Sequence, residues 1–265
     1  MELISSWQNP KIKQLVRLQA KARERREQQL VVVEGAREIT IALNNGYVPE
    51  QLFVCEEVYA KSDYQDLLPR LSESRCVGLT RAVFEKLAYR EGSDGVLALL
   101  RPKSHRLDDL KLSANPFLIV LEAVEKPGNL GAILRTADAA RADAVIVCDP
   151  LTDIYNPNVV RSSIGCLFSV PVAVCSSQEA LTWMHERGIK AYAAELQAAS
   201  WYHHQDFRQP SAVVMGTEAD GLSAFWLQNA DARIKIPMRG LIDSLNVSVS
   251  TAILTFEAMR QRDFK

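Results

Sequence analysis

Short apolar runs, separated by helix-like segments, recur through the second half of the chain. They span residues 117–121, 144–148, 170–174, 191–194, 212–215 and 233–237. Most of these runs are continuously apolar rather than alternating, which is typical of strands that helices cover on both faces. The pattern therefore predicts an α/β fold with a mostly parallel sheet and helices on either side of it.

The first hundred residues mix helical and strand-like patterns on a smaller scale. One long helix is predicted from Asn9-Pro10 to about Gln29, because proline is favoured in the first turn of a helix. Shorter segments are predicted as strands at 30–33, 52–55, 75–78 and 96–100, and as helices at 36–44, 62–72 and 81–89.

Between residues 101 and 116 the periodicity is lost, which indicates a linker. The sequence therefore predicts a small αβ domain over residues 1–103, a linker over 104–115 and a larger α/β domain over 116–265.

The composition is that of an ordinary globular protein, with 48% hydrophobic and 24% charged residues. The net charge is -1, so a nucleic-acid partner would have to meet a local basic surface. No apolar run is long enough to span a bilayer and no leader-like segment opens the chain, which predicts a cytoplasmic protein without a membrane partner. The five cysteines show no CxxC spacing, so reduced core thiols are expected and no metal site is predicted.

Three polar, small-residue segments follow or precede strands of the second domain. In the first, Pro127-Gly-Asn129 opens a predicted helix that carries Arg135. Free backbone N–H groups at a helix N-terminus suit an anionic or polar ligand. The alternative is that Asn129 only caps the helix and that Arg135 is a solvated helix residue.

The second segment, Met215-Gly-Thr-Glu-Ala-Asp-Gly221, follows a strand, and its glycines allow close approach of the backbone to a ligand. The third runs from Ile236 to Ser248, where Ser244 and Asn246 could also serve only to cap the last helix. Because parallel strands end at one edge of a sheet, the three segments are expected to converge on one ligand site.

The three segments together resemble the motifs of the SpoU branch of the SPOUT superfamily, S-adenosylmethionine-dependent RNA 2′-O-methyltransferases. The front half is similar to the family's ribosomal-protein-like substrate-binding domain through residues 9–13 and 33–37. The positions that match the three family motifs are Asn129, Gly131, Arg135, Thr136 and Ala137, then Gly216, Glu218, Gly221 and Leu222, then Pro237, Ser244, Leu245, Asn246 and Ser248.

The resemblance implies a deep trefoil knot, a homodimer and S-adenosyl-L-methionine as cofactor. It implies that the cofactor lies against Met215, Gly216, Gly221, Ile236, Pro237, Met238, Leu245, Asn246 and Ser248. It implies that the target ribose meets Arg135, supported by Asn129, Glu218, Ser244 and Asn246.

Removal of the hydroxyl proton is the unexplained chemical step, because no motif contains a histidine. A guanidinium is a poor base. One hypothesis is that Arg135 clamps a phosphate and stabilises the developing alkoxide, while Ser244 or solvent relays the proton. The other hypothesis is that Arg135 itself is the base.

RNA binding requires basic side chains that contact phosphates. The candidates lie in the N-terminal segment and are Lys11, Lys13, Arg17, Lys21, Arg23, Arg25, Arg26 and Arg37. An ordinary amphipathic surface helix is the alternative explanation. Trp201 and Tyr202 could stack on bases or could simply pack against the protein.

The sequence and the resemblance together predict an enzyme that methylates ribose in RNA, with 23S-type ribosomal RNA as the expected substrate. Transfer RNA is the alternative substrate, and a catalytically silent RNA-binding or ribosome assembly factor is the alternative function. A dinucleotide-binding oxidoreductase is disfavoured, because no GxGxxG segment follows a strand.

Overall fold

The computed structural model describes residues 1–59, 75–89 and 92–264. They form two compact units, each built around its own sheet. The first unit contains Met1–Lys103 and Ile154–Ser169, and the second contains Ser104–Asp153 and Val170–Lys265. The helix predicted at 62–72 lies outside the described residues.

The first unit has a five-stranded mixed sheet in the order β1-β4-β3-β5-β2. Its strands are β1 (Glu2–Ile4), β2 (Val31–Glu34), β3 (Pro49–Val54), β4 (Cys76–Leu79) and β5 (Val96–Leu100). Its helices are α1 (Pro10–Ala20), α2 (Ala22–Gln28), α3 (Ala36–Asn44) and α4 (Arg81–Leu87), with two shorter helices at Pro157–Ser162 and Cys166–Ser169.

The prediction of a single helix to Gln29 is wrong, because the helical conformation is interrupted between α1 and α2. Lys21 is extended there, with φ -127° and ψ 118°. Arg25 is only 5% exposed, and its guanidinium donates to the carbonyl oxygens of Leu18 and Gln19, the latter at 3.1 Å. The guanidinium thus satisfies carbonyls that the end of α1 leaves without a helical partner.

The second unit has a seven-stranded sheet in the order β10-β12-β9-β11-β6-β7-β8, in which every pairing is parallel. Its strands are β6 (Phe117–Glu122), β7 (Ala144–Cys148), β8 (Val172–Cys175), β9 (Lys190–Ala194), β10 (Ser200–Trp201), β11 (Ser211–Met215) and β12 (Ala232–Lys235). Its helices are α5 (Pro127–Ala140), α6 (Ser177–His185), α7 (Ala224–Asn229) and α8 (Val247–Gln261).

Helices cover both faces of this sheet, which confirms the predicted α/β class. On one face α6 packs on β7 and β9, and Trp226 of α7 is fully buried with Leu118 and Val120 of β6. On the other face α8 packs on β6, β11 and α5. The carboxyl ends of the strands, where the polar segments lie, are therefore held by a core on each side.

The cysteines of both units are free thiols, as the sequence predicted, and Cys55, Cys76 and Cys148 are buried. Cys148 lies opposite Cys175 in the pairing of β7 with β8. The neighbouring Cys175 thiol and burial both raise the pKa of Cys148, which keeps this thiol protonated. None of the helices in the described ranges is long and apolar enough to cross a membrane.

Arg262 joins the end of α8 to the segments that precede β6 and β11. Its guanidinium donates to the carbonyl oxygens of Asn115 (2.6 Å), Phe207 (2.8 Å) and Gln209 (2.8 Å). It also donates to the carbonyl of Pro116 and to the Ser211 hydroxyl, so all three guanidinium nitrogens donate hydrogen bonds. Partial burial lowers the pKa of Arg262, but a guanidinium stays charged at neutral pH.

Replacing Arg262 by alanine should lower the free energy of unfolding by ~2–4 kcal/mol, because several charge-assisted hydrogen bonds are lost and carbonyls are left unpaired. The measurement is urea denaturation followed by circular dichroism. Arg260→Ala is the matched control, because Arg260 is exposed and forms an ion pair with Glu257 on the same helix. Equal midpoints for the two variants would contradict the role given to Arg262.

Candidate functional site

A single carboxylate, that of Glu218, brings the three polar segments together. The side-chain amide of Asn129 donates to Glu218 Oε1 at 2.7 Å, and the amide of Asn246 donates to the same oxygen. The Lys126 ammonium pairs with Glu218 Oε2. We call Lys126, Asn129, Glu218 and Asn246 the Glu218 cluster. The predicted convergence of the segments is confirmed for these side chains.

Asn129 does not cap its helix, so the part of the alternative that concerns Asn129 is wrong. α5 begins at Pro127 with Lys126 in the N-cap position, which places Asn129 inside the first turn. Its side chain therefore does not cap the backbone of the helix. It donates a hydrogen bond to Glu218, 89 residues along the chain.

Asn246, by contrast, does cap its helix and also joins the cluster. Its Oδ1 accepts from the backbone N–H of Ser248 at 3.0 Å and from the Ser248 hydroxyl at 2.6 Å. Its Nδ2 donates to Glu218 and, at 3.3 Å, to Asn129 Oδ1. The cap fixes which end of the amide faces the cluster.

A cavity of about 450 Å³ lies beside the cluster, and Glu218 forms part of its wall. That volume is within the range of small-molecule sites. The wall combines apolar side chains, backbone of small residues and a few acids. It is lined by residues 194–197, 215–222, 234–236 and 243–245, with Leu227, Met238, Val247, Ser250 and Leu254.

The cavity loop between β11 and α7 folds back on its own backbone. The Thr217 N–H donates to the Gly221 carbonyl at 2.9 Å, and the Gly221 N–H donates to the Thr217 carbonyl at 3.2 Å. A Cβ atom at Gly216 would lie 2.1 Å from the Gly221 carbonyl carbon, and Gly221 itself has φ +71°. Both positions therefore require glycine.

Glu122, which the sequence analysis did not single out, supports this loop from behind. It is buried at the end of β6 and accepts from the Ser223 N–H at 2.7 Å and the Ser223 hydroxyl at 2.6 Å. Its Oε1 also accepts from the Ser177 hydroxyl, which in turn accepts from Trp226 Nε1. A glutamate that ends a continuously apolar strand was the available signal, because a buried carboxylate needs partners.

The loop that follows β9 was also missed, although Ala194–Gln197 line the cavity. β9 lies between β11 and β12 in the sheet, so its loop lies between the second and third polar segments. No glycine marks this loop, and only the strand order reveals its position.

Most of the predicted cofactor residues lie in the cavity wall. Met215, Gly216, Gly221, Ile236, Met238 and Leu245 line it, together with Glu218 and Ser244. Pro237, Asn246 and Ser248 are not among its lining residues. The Ser244 hydroxyl is exposed and donates to Asp243 Oδ1 at 3.1 Å.

Arg135 lies farther along α5, outside the cavity wall. Its side chain is exposed and forms no hydrogen bond or ion pair within the described part of the chain. The guanidinium is thus available to a ligand that arrives from solvent.

The predicted RNA-binding residues of the first unit are mostly at the surface. Lys13, Arg17, Lys21, Arg23, Arg26 and Arg37 are exposed, while Lys11 is partly buried and pairs with Glu2. The prediction that Arg25 contacts RNA is wrong. Arg25 is buried, and its guanidinium donates to the backbone of α1.

Aromatic rings cluster at the short edge strand β10. Trp201 is 44% exposed, and its ring centroid lies 5.3 Å from that of His203 and 5.5 Å from that of His204. The rings pack on one another while Trp201 stays partly exposed, so base stacking by Trp201 stays a prediction. Within residues 1–59, 75–89 and 92–264, no group of three or more His, Cys, Asp or Glu side chains could hold a metal ion.

Two family descriptions match this chain. That of the SpoU rRNA Methylase family matches residues 116–256, and that of the MRM3-like substrate binding domain matches residues 9–98. The 23S rRNA (guanosine-2'-O-)-methyltransferase RlmB of Photobacterium profundum is 35% identical over 219 residues, covering 78% of this chain and 89% of the relative. The resemblance stated from the motifs is therefore confirmed.

Solved structures resemble the chain over nearly its whole length. The crystal structure of an RNA 2'-O ribose methyltransferase is 39% identical with a TM-score of 0.85, covering 98% of this chain and 99% of that chain. An AdoMet-bound rRNA methyltransferase from Sinorhizobium meliloti is 26% identical with a TM-score of 0.89, covering 98% and 97%.

Gly216→Ala should lower the free energy of unfolding by at least ~2 kcal/mol and open the cavity loop, because the added Cβ meets backbone that cannot yield. Thermal unfolding and hydrogen exchange of residues 216–222 would measure both effects. Gly128→Ala is the matched control, because a Cβ there has no neighbour within 4 Å. A Gly216 variant as stable as the Gly128 variant would show that the loop adapts.

Proposed function

The chain belongs to the SpoU rRNA methylase family, and on that premise we propose that it methylates ribose 2′-hydroxyl groups of ribosomal RNA with S-adenosyl-L-methionine as cofactor. The observation that carries the proposal is the Glu218 cluster beside a cavity of about 450 Å³. Residues from all three family motifs contribute to the Glu218 cluster and the cavity taken together. A 23S-type ribosomal RNA is the proposed substrate, because the RlmB relative is named for it.

The cavity fits the proposed cofactor in size and in chemistry. Ile236, Met238 and Leu245 offer an apolar wall for an adenine ring, and Gly216 exposes backbone at the same wall. When bound, the cofactor supplies a methyl group on a positively charged sulfur. A site that combines apolar side chains with a few polar and acidic groups is suited to such a ligand.

The Glu218 cluster is proposed to hold the reacting groups in line. Glu218 fixes the amides of Asn129 and Asn246, so neither side chain has to be ordered when RNA binds. Positioning of this kind can contribute up to roughly 7–11 kcal/mol to a displacement between two bound partners. The Lys126 ammonium balances the carboxylate charge.

Arg135 is proposed to clamp a phosphate next to the target ribose and to stabilise the developing alkoxide. Its exposed guanidinium has no competing partner in the described residues, and arginine binds phosphate through a bidentate fork. The hydroxyl proton then passes to Ser244 Oγ or water. Ser244 Oγ already donates to Asp243 Oδ1, which can take up the relayed proton. An arginine base stays the competing hypothesis.

The remaining features stay predictions: the trefoil knot, the homodimer and the cytoplasmic location. The homodimer is supported by large apolar side chains left exposed on the third segment and on α8. They are Leu241, Ile242, Val249 and Phe256. Exposed basic residues of the first unit, among them Lys13, Arg17 and Arg37, are proposed to contact RNA phosphates.

Transfer of tritium from labelled S-adenosylmethionine to RNA from cells lacking the protein tests the function. We expect label on a ribose of ribosomal RNA and a loss of roughly 10²–10³-fold in rate for Arg135→Ala, because a charge-stabilising donor is removed. Arg208→Ala, which removes an exposed ion pair with Asp206 outside α8, is the control and should keep its activity.

Label on transfer RNA alone would mean that transfer RNA, not ribosomal RNA, is the substrate. Cofactor binding without any methyl transfer would favour a catalytically silent assembly factor. The pH dependence of the rate separates the two hypotheses for Arg135. An ionisation that moves when Arg135 is replaced by lysine would identify a base and contradict the clamp.

Glu218→Gln should lower kcat/KM by about 10–100-fold with little change in stability, because an amide cannot accept from all three donors. Its NH₂ group would also face either Lys126 or the amide donors. Single-turnover methylation gives the rate, and thermal unfolding controls for folding. Full activity in this variant would mean that the cluster does not organise the reaction.

A further inference from the structure

Glu195 is a carboxylate in the cavity wall that makes one long ion pair and no hydrogen bond with the described residues. Its side chain is only 17% exposed, and its Oε2 lies 3.6 Å from the Arg233 guanidinium. The described residues make no hydrogen bond to either oxygen, and Oε2 is buried. A largely buried carboxylate with one long ion pair and no hydrogen bond is under-satisfied, because burial removes the water that would otherwise solvate it.

The backbone holds Glu195 firmly at this place. The Glu195 N–H donates to the Ile234 carbonyl at 2.9 Å, which extends the pairing of β9 with β12 by one residue. The Glu195 carbonyl accepts from the Ala198 N–H at 3.3 Å, which closes a turn. The backbone of Glu195 is therefore fixed at the end of β9, which lies between β11 and β12 in the sheet.

We propose that Glu195 recognises the cofactor, accepting hydrogen bonds from the 2′- and 3′-hydroxyls of the adenosine ribose of S-adenosylmethionine. This inference rests on the proposed function and deepens it by naming what Glu195 binds. A carboxylate offers two acceptor oxygens, and a vicinal diol offers two donors at matching spacing. An acidic residue at the end of a strand serves ribose hydroxyls in dinucleotide sites for the same chemical reason.

The ammonium group of the cofactor's methionine part is the competing donor, and Arg233 argues against it. The Arg233 guanidinium already places one positive charge 3.6 Å from Glu195. A second cation on the same carboxylate would repel that guanidinium. Neutral hydroxyls supply the missing hydrogen bonds without adding charge, so the diol is the better match.

The test is a binding cycle measured by calorimetry, without any methyl transfer. S-adenosylhomocysteine and its 2′-deoxy and 3′-deoxy analogues are titrated into the natural protein, Glu195→Ala and Glu195→Gln. Asp220→Ala is the matched control, because Asp220 is an exposed acid of the same cavity wall and its loss changes the charge equally.

For the natural protein, we expect each deoxy analogue to bind about 10–100-fold more weakly, as for a lost charge-assisted hydrogen bond. Glu195→Ala should weaken the binding of S-adenosylhomocysteine by a similar factor. In this variant the deoxy analogues should bind no more weakly than S-adenosylhomocysteine itself. Glu195→Gln keeps the shape of the side chain and one acceptor oxygen. Its affinity should therefore lie between those of the natural protein and of Glu195→Ala. Asp220→Ala should keep the full penalty of each analogue.

Two outcomes would overturn the assignment. Additive losses in Glu195→Ala would mean that its carboxylate does not contact the hydroxyls. An effect of Glu195→Ala that vanishes with 5′-methylthioadenosine, which lacks the methionine amine and carboxylate, would assign the contact to the ammonium. If no ligand binds the natural protein, the proposed cofactor fails instead, and that result is distinct from both.

Discussion

The shared use of Glu218 is the interaction on which the organisation of the site depends. Lys126, Asn129 and Asn246 come from two distant parts of the chain, and one carboxylate accepts from all three. Each donor approaches from a segment that is already fixed, by the start of α5 or by the cap of α8. The sheet brings the segments to one edge, and the carboxylate gives them one arrangement there.

Beneath that cluster, the cavity is shaped by backbone as much as by side chains. Gly216 leaves no room for a Cβ against Gly221, and buried Glu122 anchors Ser223 where the loop enters α7. The loop is thus held at both ends, by close backbone packing at Gly216 and by the hydrogen bonds between Glu122 and Ser223. Such rigidity suits a site whose chemistry relies on alignment rather than on a strong base.

The apolar runs were sufficient to predict the second sheet and its covered faces, because burial on both sides leaves a clear imprint on sequence. The second and third motif segments contain more than half of the residues that line the cavity. The break at Lys21 was missed because it depends on Arg25, which reads as a surface charge in sequence but reaches back to carbonyls of the preceding helix. Glu122 and Glu195 were missed because their partners are set by strand order and lie far away in sequence.

The spacing of the cluster along the chain has a consequence for the biogenesis of this protein. Glu218 follows Asn129 by 89 residues and precedes Asn246 by 28. Chains emerge from the ribosome N-terminal end first. A nascent chain therefore carries Glu218 with Asn129 and Lys126 before Asn246 has been made. Synthesis of Asn246 supplies the remaining member of the Glu218 cluster, so a nascent chain that ends before Asn246 has an incomplete cluster.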